Sequence, residues 1–388
     1  MKIKVLLYID SFMVGGMHKQ ILYLAKYLNR EKIDLIICTQ NSSEGGLRNQ
    51  FIKTGCKLID LNRNSTPKNK KPFNPFMSLR LLKVLKDENP NIIFLTAASN
   101  LLYFRFSNFF YPGEISQIGS FRSLSFWKGH LSKYYRPLDN FLAKWLYSSS
   151  DYLIVNSENL KIHYKDIVKE KKTKPIKVIH NAYDFQISLT KDKKLIKTEL
   201  NVTDSNFIIV MIARLDPWKD FQTLLSVAEI VIKSYNSVVF YLIGDGQLKR
   251  EINNEITKRE LNDNVILTGE KKDIHNYINI CNISVLSTHG EGSSNAIIES
   301  MACGKPIIAT DVGGNSEIIG TDGKCGILIP PESPAEFSKA VTSLIRDDIK
   351  LKNMGKAAQK RIQNLCNMEK YISSYENLFS SVYVKSGE

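Results

Sequence analysis

Short apolar runs recur along the whole of this chain, separated by longer segments whose apolar residues repeat every three to four positions. Runs without alternation are what strands covered on both faces look like, and their regular exchange with helical segments confines the chain to parallel α/β units. In the first half the runs are KVLLYI (4–9), IDLIIC (33–38), KLIDL (57–61), NIIFL (91–95), ISQIG (115–119), YLIVN (152–156) and IKVI (176–179). The second half repeats the plan with FIIVMIA (207–213), VVFYLIG (238–244), NVIL (264–267), ISVLS (283–287), PIIAT (306–310) and GILIP (326–330). Helical periods lie at 17–29, where Ile21, Leu22, Leu24, Ala25 and Leu28 share a face, and at 75–88, ended by Asn89-Pro90. Others fall around 220–234, 246–260, 294–303, 333–346 and 350–363. The expected architecture is two doubly wound sheets in tandem. A polar stretch at 181–206, with no strand pattern, is read as linker plus a short helix, so the boundary falls near 181–186. The segment TPKNKKPFNP (66–75) is read as an exposed loop.

Composition narrows the class further. With 388 residues and 43% of them apolar, two cores can be filled. No run reaches the roughly 18 apolar residues of a membrane-spanning helix. Asp10 interrupts the apolar start, and no small-residue cleavage site follows, so residues 1–12 are expected to be a first strand of a cytoplasmic protein. Six cysteines without a CxxC or a His/Cys cluster point to free thiols rather than disulfides or a zinc site.

The net charge of +14 is unevenly placed: residues 1–185 hold 29 Lys/Arg against 14 Asp/Glu, and the rest hold 24 against 25. Such asymmetry points to an anionic partner for the first half, whether nucleic acid, acidic membrane or phosphorylated substrate. A Lys/Asn/Ile-rich composition alone also raises surface charge. Within that half, residues 103–136 interleave aromatic and basic side chains, a mixture suited to a membrane interface, to single-stranded nucleic acid, or to a buried aromatic core with surface cations.

In open parallel sheets ligands bind beyond the carboxyl ends of the strands, so the chemistry is sought in the strand-to-helix turns. The first holds Gly15-Gly16, ahead of a helix whose N-terminal N–H groups and dipole suit an anion; it matches neither GxGxxG nor GxxxxGK[ST]. After run 207–213, Arg214 and Lys219 bracket LDPW, a fork and a point charge suited to a diphosphate unless both are simply solvated. The segment 287–319 is richest. Glu291 precedes a helix and Glu299 sits one turn into it, while Gly292, Ser293, Ser294 and Asn295 offer N–H groups at its start.

The string EGSSNAIIESMACGKPIIATDVGG resembles the donor-site segment of the retaining glycosyltransferases of family 4, with their E-x7-E motif; ARLDPWKD, IGDG and HNAYD fall where that family has comparable segments. The resemblance implies a GT-B fold, two Rossmann-like domains facing a cleft. It implies an acceptor-side domain at 1–183, a nucleotide-sugar domain at 184–366, and a helix at 367–388 returning to the first. Glu299 would hold the ribose, Glu291 the transferred sugar, and Arg214 and Lys219 the diphosphate. Gly16 would approach the phosphates from the first domain, and Glu270 and Lys271 in TGEKK (268–272) would lie near the base. The family's first-domain histidine has no clear counterpart; Arg122 and His130 are the nearest candidates for an acceptor role. His180 and His289 are given structural roles.

The expected function is therefore transfer of a hexose or N-acetylhexosamine from a nucleotide-sugar, UDP rather than GDP, to a lipid-linked or other saccharide acceptor in cell-surface glycan synthesis. No Asp-x-Asp triplet occurs, so neither metal nor separate cofactor is expected. The partners expected are donor, acceptor and an anionic membrane surface at the inner face of the cell membrane, with no nucleic acid. A sugar-nucleotide epimerase of the same fold and a nucleic-acid-binding protein built on the basic half are the alternatives.

Overall fold

Continuous Val, Ile and Leu runs fold as central parallel strands because both faces of each are covered by helices, leaving no solvent side for polar residues. A computed structural model of the chain describes residues 2–41, 46–61, 75–96, 98–123, 136–171, 174–186 and 191–385. Contacts divide it into two units, one comprising the residues up to Arg122, Arg136–Ala182 and those from Met368 on, the other comprising Tyr183–Asn367.

The first unit is built on a seven-stranded sheet of β1 (Ile3–Ser11), β2 (Ile33–Asn41), β3 (Lys57–Asp60), β4 (Ile92–Leu95), β5 (Ser116–Phe121), β6 (Tyr152–Val155) and β7 (Ile176–Val178), in the order β3-β2-β1-β4-β5-β6-β7. All its strand pairs are parallel. The order reverses between β1 and β4. Helix Met368–Lys385 completes this core: Tyr375, Phe379 and Val382 are fully buried, and the Tyr375 and Phe379 rings lie 5.9 and 6.5 Å from that of Phe94 on β4.

The second unit carries β8 (Phe207–Ile212), β9 (Val238–Ile243), β10 (Val265–Gly269), β11 (Ile283–Leu286), β12 (Ile307–Thr310) and β13 (Gly326–Ile329), in the order β10-β9-β8-β11-β12-β13. These pairs are parallel too, and the order reverses between β8 and β11. Every apolar run singled out in the sequence is a strand, and the helical periods match helices within a few residues. The short helix expected in the linker is Lys193–Glu199, begun by Asp192, whose side chain accepts from the Lys194 N–H. Helices Arg48–Lys53, Ala98–Phe109, Arg136–Ser149, Glu158–Val168, Ile274–Ile280 and Asn315–Ile319 are additional. The six cysteines are free, and Cys38, Cys281, Cys325 and Cys366 are buried. The loop expected at 66–75 lies outside the described residues but for Pro75, which opens helix Pro75–Glu88.

Candidate functional site

In the second unit the two central turns, after β8 and after β11, are stitched into one structure. Asp220 N–H donates to the Ser287 carbonyl (3.1 Å) and the Ser287 hydroxyl donates back to the Asp220 carbonyl (2.7 Å). The Trp218 carbonyl accepts from the Thr288 hydroxyl (2.8 Å) and from the His289 N–H (2.9 Å). Lys219, held by these bonds, forms an ion pair with Glu291, both side chains being mostly buried. Two residues 72 positions apart in sequence thus meet at the sheet's switch point, where parallel sheets bind ligands.

Each turn is also braced from its far side. Gly244 follows β9 at φ +151°, and a Cβ there would lie 1.9 Å from the Ala213 carbonyl oxygen; one at Gly246 would lie 2.3 Å from that of Leu215. Only glycine lets the IGDG turn come so close to the segment carrying Arg214. The guanidinium of Arg214 donates to Asp216 from Nη2 (2.9 Å) and Nε (3.2 Å), and Asp216 also accepts from the Trp218 N–H. Beyond β11, the Thr310 hydroxyl donates to the Thr288 carbonyl (2.9 Å) and accepts from the Thr288 N–H (3.1 Å). Gly313, at φ +54°, lies against Glu291, so that a Cβ would sit 1.7 Å from the Glu291 carbonyl oxygen.

Helix Asn295–Ala302 starts at Ser294, whose own side chain makes no capping hydrogen bond. Its leading N–H groups and its dipole therefore favour an anionic or hydroxyl oxygen beside the Gly292-Ser293 turn. Glu299 sits in the second turn, 6% exposed. The structure thus brings Arg214, Lys219, Glu291 and the helix start together around the β8–β11 crevice. It places Glu270 and Lys271 after β10, on the sheet's edge: Glu270 is exposed, while the Lys271 ammonium faces Glu199 (3.2 Å) and lies 5.3 Å above the Tyr277 ring. His289 faces Glu332 (3.7 Å).

In the first unit, Gly15 is the N-cap of helix Gly16–Tyr27, again without a side-chain cap. One turn in, His18 is buried and its Nε2 lies 3.1 Å from an Asp10 oxygen at the end of β1. Burial pushes the Asp10 carboxyl up, but the His18 hydrogen bond and charge, helped by backbone N–H donors, leave it below the ordinary carboxylate range. The sequence reading missed this pair, although an Asp closing the first strand eight positions ahead of a His in the first helical turn is visible. Arg122, expected to meet an acceptor, is turned into the protein. It donates from Nη2 to the Tyr375 hydroxyl (2.7 Å), from Nε to Ser120 (3.0 Å) and from Nη1 to Asn181 (3.3 Å). It clamps the last helix to the sheet. His130 lies outside the described residues.

Known proteins resemble this chain in sequence and in fold. N-acetyl-alpha-D-glucosaminyl L-malate synthase of Bacillus anthracis is 24% identical over 63% of this chain and 64% of its own length. An alpha-1,3-galactosyltransferase of Escherichia coli, acting on alpha-D-GlcNAc-diphosphoundecaprenol from UDP-Gal, is 24% identical over 96% of this chain and 95% of its own. Against other curated relatives the chain spans as little as 35% of their length. Anabaena HepE, solved in complex with UDP and glucose, shares the fold at a TM-score of 0.82 over 98% of this chain and 100% of that one, with 19% identity. The two-unit plan of parallel sheets is that of GT-B proteins. The family model for glycosyl transferases group 1 matches residues 192–361, and that for glycosyltransferase family 4 matches residues 14–186. With one match carrying the stitched turns of the second unit and the other the Gly15-Gly16 turn of the first, the chain belongs to the family 4 type of glycosyltransferase.

Proposed function

We propose that the protein transfers a hexose or N-acetylhexosamine from a UDP-sugar, with retention of configuration, to a lipid-linked saccharide at the cytoplasmic face of a membrane, in the synthesis of a cell-surface glycan. The observation that carries this reading is the Lys219–Glu291 pair at the β8–β11 switch point, with Arg214 in the same turn as Lys219 and the start of helix Asn295–Ala302 following Glu291. In the reaction the bond between the anomeric carbon and the β-phosphate oxygen breaks, and the acceptor oxygen bonds to that carbon. The acceptor's proton passes to the leaving diphosphate on the same face.

Charge builds on the diphosphate as it leaves. In this reading Arg214 and Lys219 offset it, together with the helix dipole. Glu291 faces the sugar, whose ring gains positive charge, and Glu299 holds the ribose hydroxyls. The preference for UDP is supported by HepE, solved with UDP, and by the galactosyltransferase named for UDP-Gal. The lipid-linked acceptor is supported by the latter's diphosphoundecaprenol substrate. Among the described residues no helix is long and apolar enough to cross a membrane.

Thermal unfolding with UDP, GDP and a panel of their sugars tests the donor, and incubation with a lipid-linked saccharide tests transfer. UDP-sugars are expected to raise the unfolding temperature more than GDP-sugars, and the product to keep the donor's anomeric configuration. No stabilisation by any nucleotide, together with salt-sensitive RNA binding, would overturn the proposal.

A further inference from the structure

Helices Pro75–Glu88, Ala98–Phe109 and Arg136–Ser149 pack side by side in that order in the first unit, the middle one joined to the first where the buried Ser107 hydroxyl donates to the Ser78 carbonyl (2.7 Å). On a surface helix the outward stripe is ordinarily polar. Here large apolar side chains stand in it on all three. The middle helix turns Leu102, Phe106 and Phe109 outward at helical spacing, with Phe110 following; Phe109 is 81% exposed. The first turns out Phe76, 70% exposed, and Leu79, and the third turns out Leu138 and Phe141, 61% exposed. The Phe110 ring packs 5.5 Å from Phe106 and 5.0 Å from Phe109, so the aromatic ridge is preformed.

The charges between these residues are mostly cationic. Arg80, Lys83 and Lys86 are exposed on the first helix, Arg105 on the second and Lys144 on the third. Asp87, in the last turn of the first helix, is the exposed carboxylate on the described faces; Asp139 is buried, and Glu88 is mostly buried against Lys57. Aromatic and aliphatic tips interleaved with cations on a continuous face match the headgroup region of an anionic bilayer, with rings below the phosphates and cations among them. Isolated apolar residues on a surface need no explanation, but a contiguous patch of this kind does.

We infer that this three-helix face is where the protein docks on anionic phospholipid, by partial insertion of the Phe106–Phe109–Phe110 ridge rather than by diffuse charge attraction. Each of the three helices runs against the parallel strands, so its first turn lies at the carboxyl end of the sheet, the end at which α/β units bind ligands. A membrane along this face would present a lipid-linked acceptor to that end. The inference deepens the proposed function and rests on it only for the acceptor; docking itself is measured without donor or turnover.

The test is co-sedimentation of the full chain with vesicles of mixed phosphatidylglycerol and phosphatidylcholine, and with phosphatidylcholine alone. Binding to the mixed vesicles is expected, and substituting Phe106, Phe109 and Phe110 together by Ser should weaken it by roughly tenfold or more. The stabilisation by UDP should stay intact in that variant. Replacing Lys83, Arg105 and Lys144 by Ala should remove the salt-sensitive part of the binding. In an otherwise unchanged chain, Phe109→Trp should shift its emission to the blue on adding mixed vesicles, a readout independent of the triple variant's folding. Unaltered binding of the triple variant, an unshifted Trp spectrum, or a dimer in light scattering that the triple variant dissolves would each overturn the inference. None of these outcomes bears on UDP recognition, so docking and donor binding fail separately.

Discussion

At the switch point of the second unit, the turns after β8 and β11 are bound to each other through Asp220, Ser287, Trp218, Thr288 and the Lys219–Glu291 pair. At the corresponding place in the first unit the braces run down into the sheet. The Thr96 hydroxyl and the Asn100 amide both donate to the Tyr8 carbonyl (3.1 and 2.8 Å), and the turn above them leaves Met13 and Val14 exposed beside the Asp10–His18 pair. One sheet plan thus supports two kinds of opening. The second is preorganised, as the proposed function asks of a site that would offset diphosphate charge in every turnover. The first keeps an exposed apolar rim at Met13 and Val14, which would suit an acceptor bound through varied contacts. The charge contrast runs the same way, since the surplus of cations lies in residues 1–185.

The hardest blow to this contrast should come from Gly313→Ala. The added Cβ would lie 1.7 Å from the Glu291 carbonyl at a φ of +54°, so the loop holding Glu291 must move. Turnover is expected to fall by more than roughly 100-fold, about 2.7 kcal/mol. Gly323→Ala, at φ +71° with nothing within 4 Å, should cost only local strain of about 1 kcal/mol and leave turnover alone. Equal losses in the two variants would deny that Gly313 acts through Glu291.

Glu291→Ala should lower kcat by roughly 100-fold, about 2.7 kcal/mol, because contacts to the sugar strengthen as the bond to phosphate breaks. Affinity for free UDP should hold or rise, since Lys219 is released from its partner. Glu299→Ala should do the reverse, weakening UDP by roughly tenfold with little change in kcat. Calorimetry beside steady-state kinetics separates the two, and a Glu291→Ala variant that loses UDP would end the division of labour between them.

Arg122→Ala sharpens the comparison from the other side. Removing the guanidinium leaves the Tyr375 hydroxyl and the Asn181 amide oxygen without its donors, at about 2–4 kcal/mol of first-unit stability, while UDP binding in the second unit should not change. Protease protection of the two units reads this directly. A stable variant that uses acceptor poorly would restore the acceptor role that the sequence suggested.

The smallest effect belongs to Glu199, whose carboxyl is held down to about 2, chiefly by Lys191 and then by Tyr277, with Lys271 adding to them against a modest cost of burial. A lowered folded-state value means that the stability it confers is complete above the ordinary 4.5 and disappears as pH falls towards 2. The group is partly exposed, so the gain is a few tenths of a kcal/mol. Urea midpoints of the parent should drop slightly more than those of Glu199→Gln across that window, and parallel curves would remove the pair from the ledger.

All the strands were legible because buried parallel strands leave unbroken apolar runs. Helix Ala98–Phe109 was not: in ASNLLYFRFSNF the outward positions Leu102 and Phe106 are as apolar as the inward Leu101 and Phe104, which erases the amphipathic period. The site was legible as separate segments around Arg214, Lys219, Glu291 and Glu299. Its assembly was hidden, because the Lys219–Glu291 contact spans 72 residues and the Arg122–Tyr375 bond spans 253, and no local pattern encodes such pairings. Lys271 looked free to meet a ligand because its partner Glu199 lies on a helix preceding it by 72 positions.

The first unit takes its central aromatic filling, Tyr375 and Phe379, from a helix that follows the entire second unit in the chain. Residues Tyr183–Asn367 form an uninterrupted stretch with a sheet and core of their own, so a ribosome delivers everything the second unit needs before the first has received its closing piece. During synthesis the order of completion is therefore reversed relative to the order of appearance: the unit begun first finishes last. Until Met368–Lys385 arrives, the faces of β1 and β4 that Tyr375 and Phe379 cover stay open. That interval is when this chain is most exposed to chaperones and to aggregation, and a premature stop near residue 367 should leave a folded second unit joined to an incomplete first one.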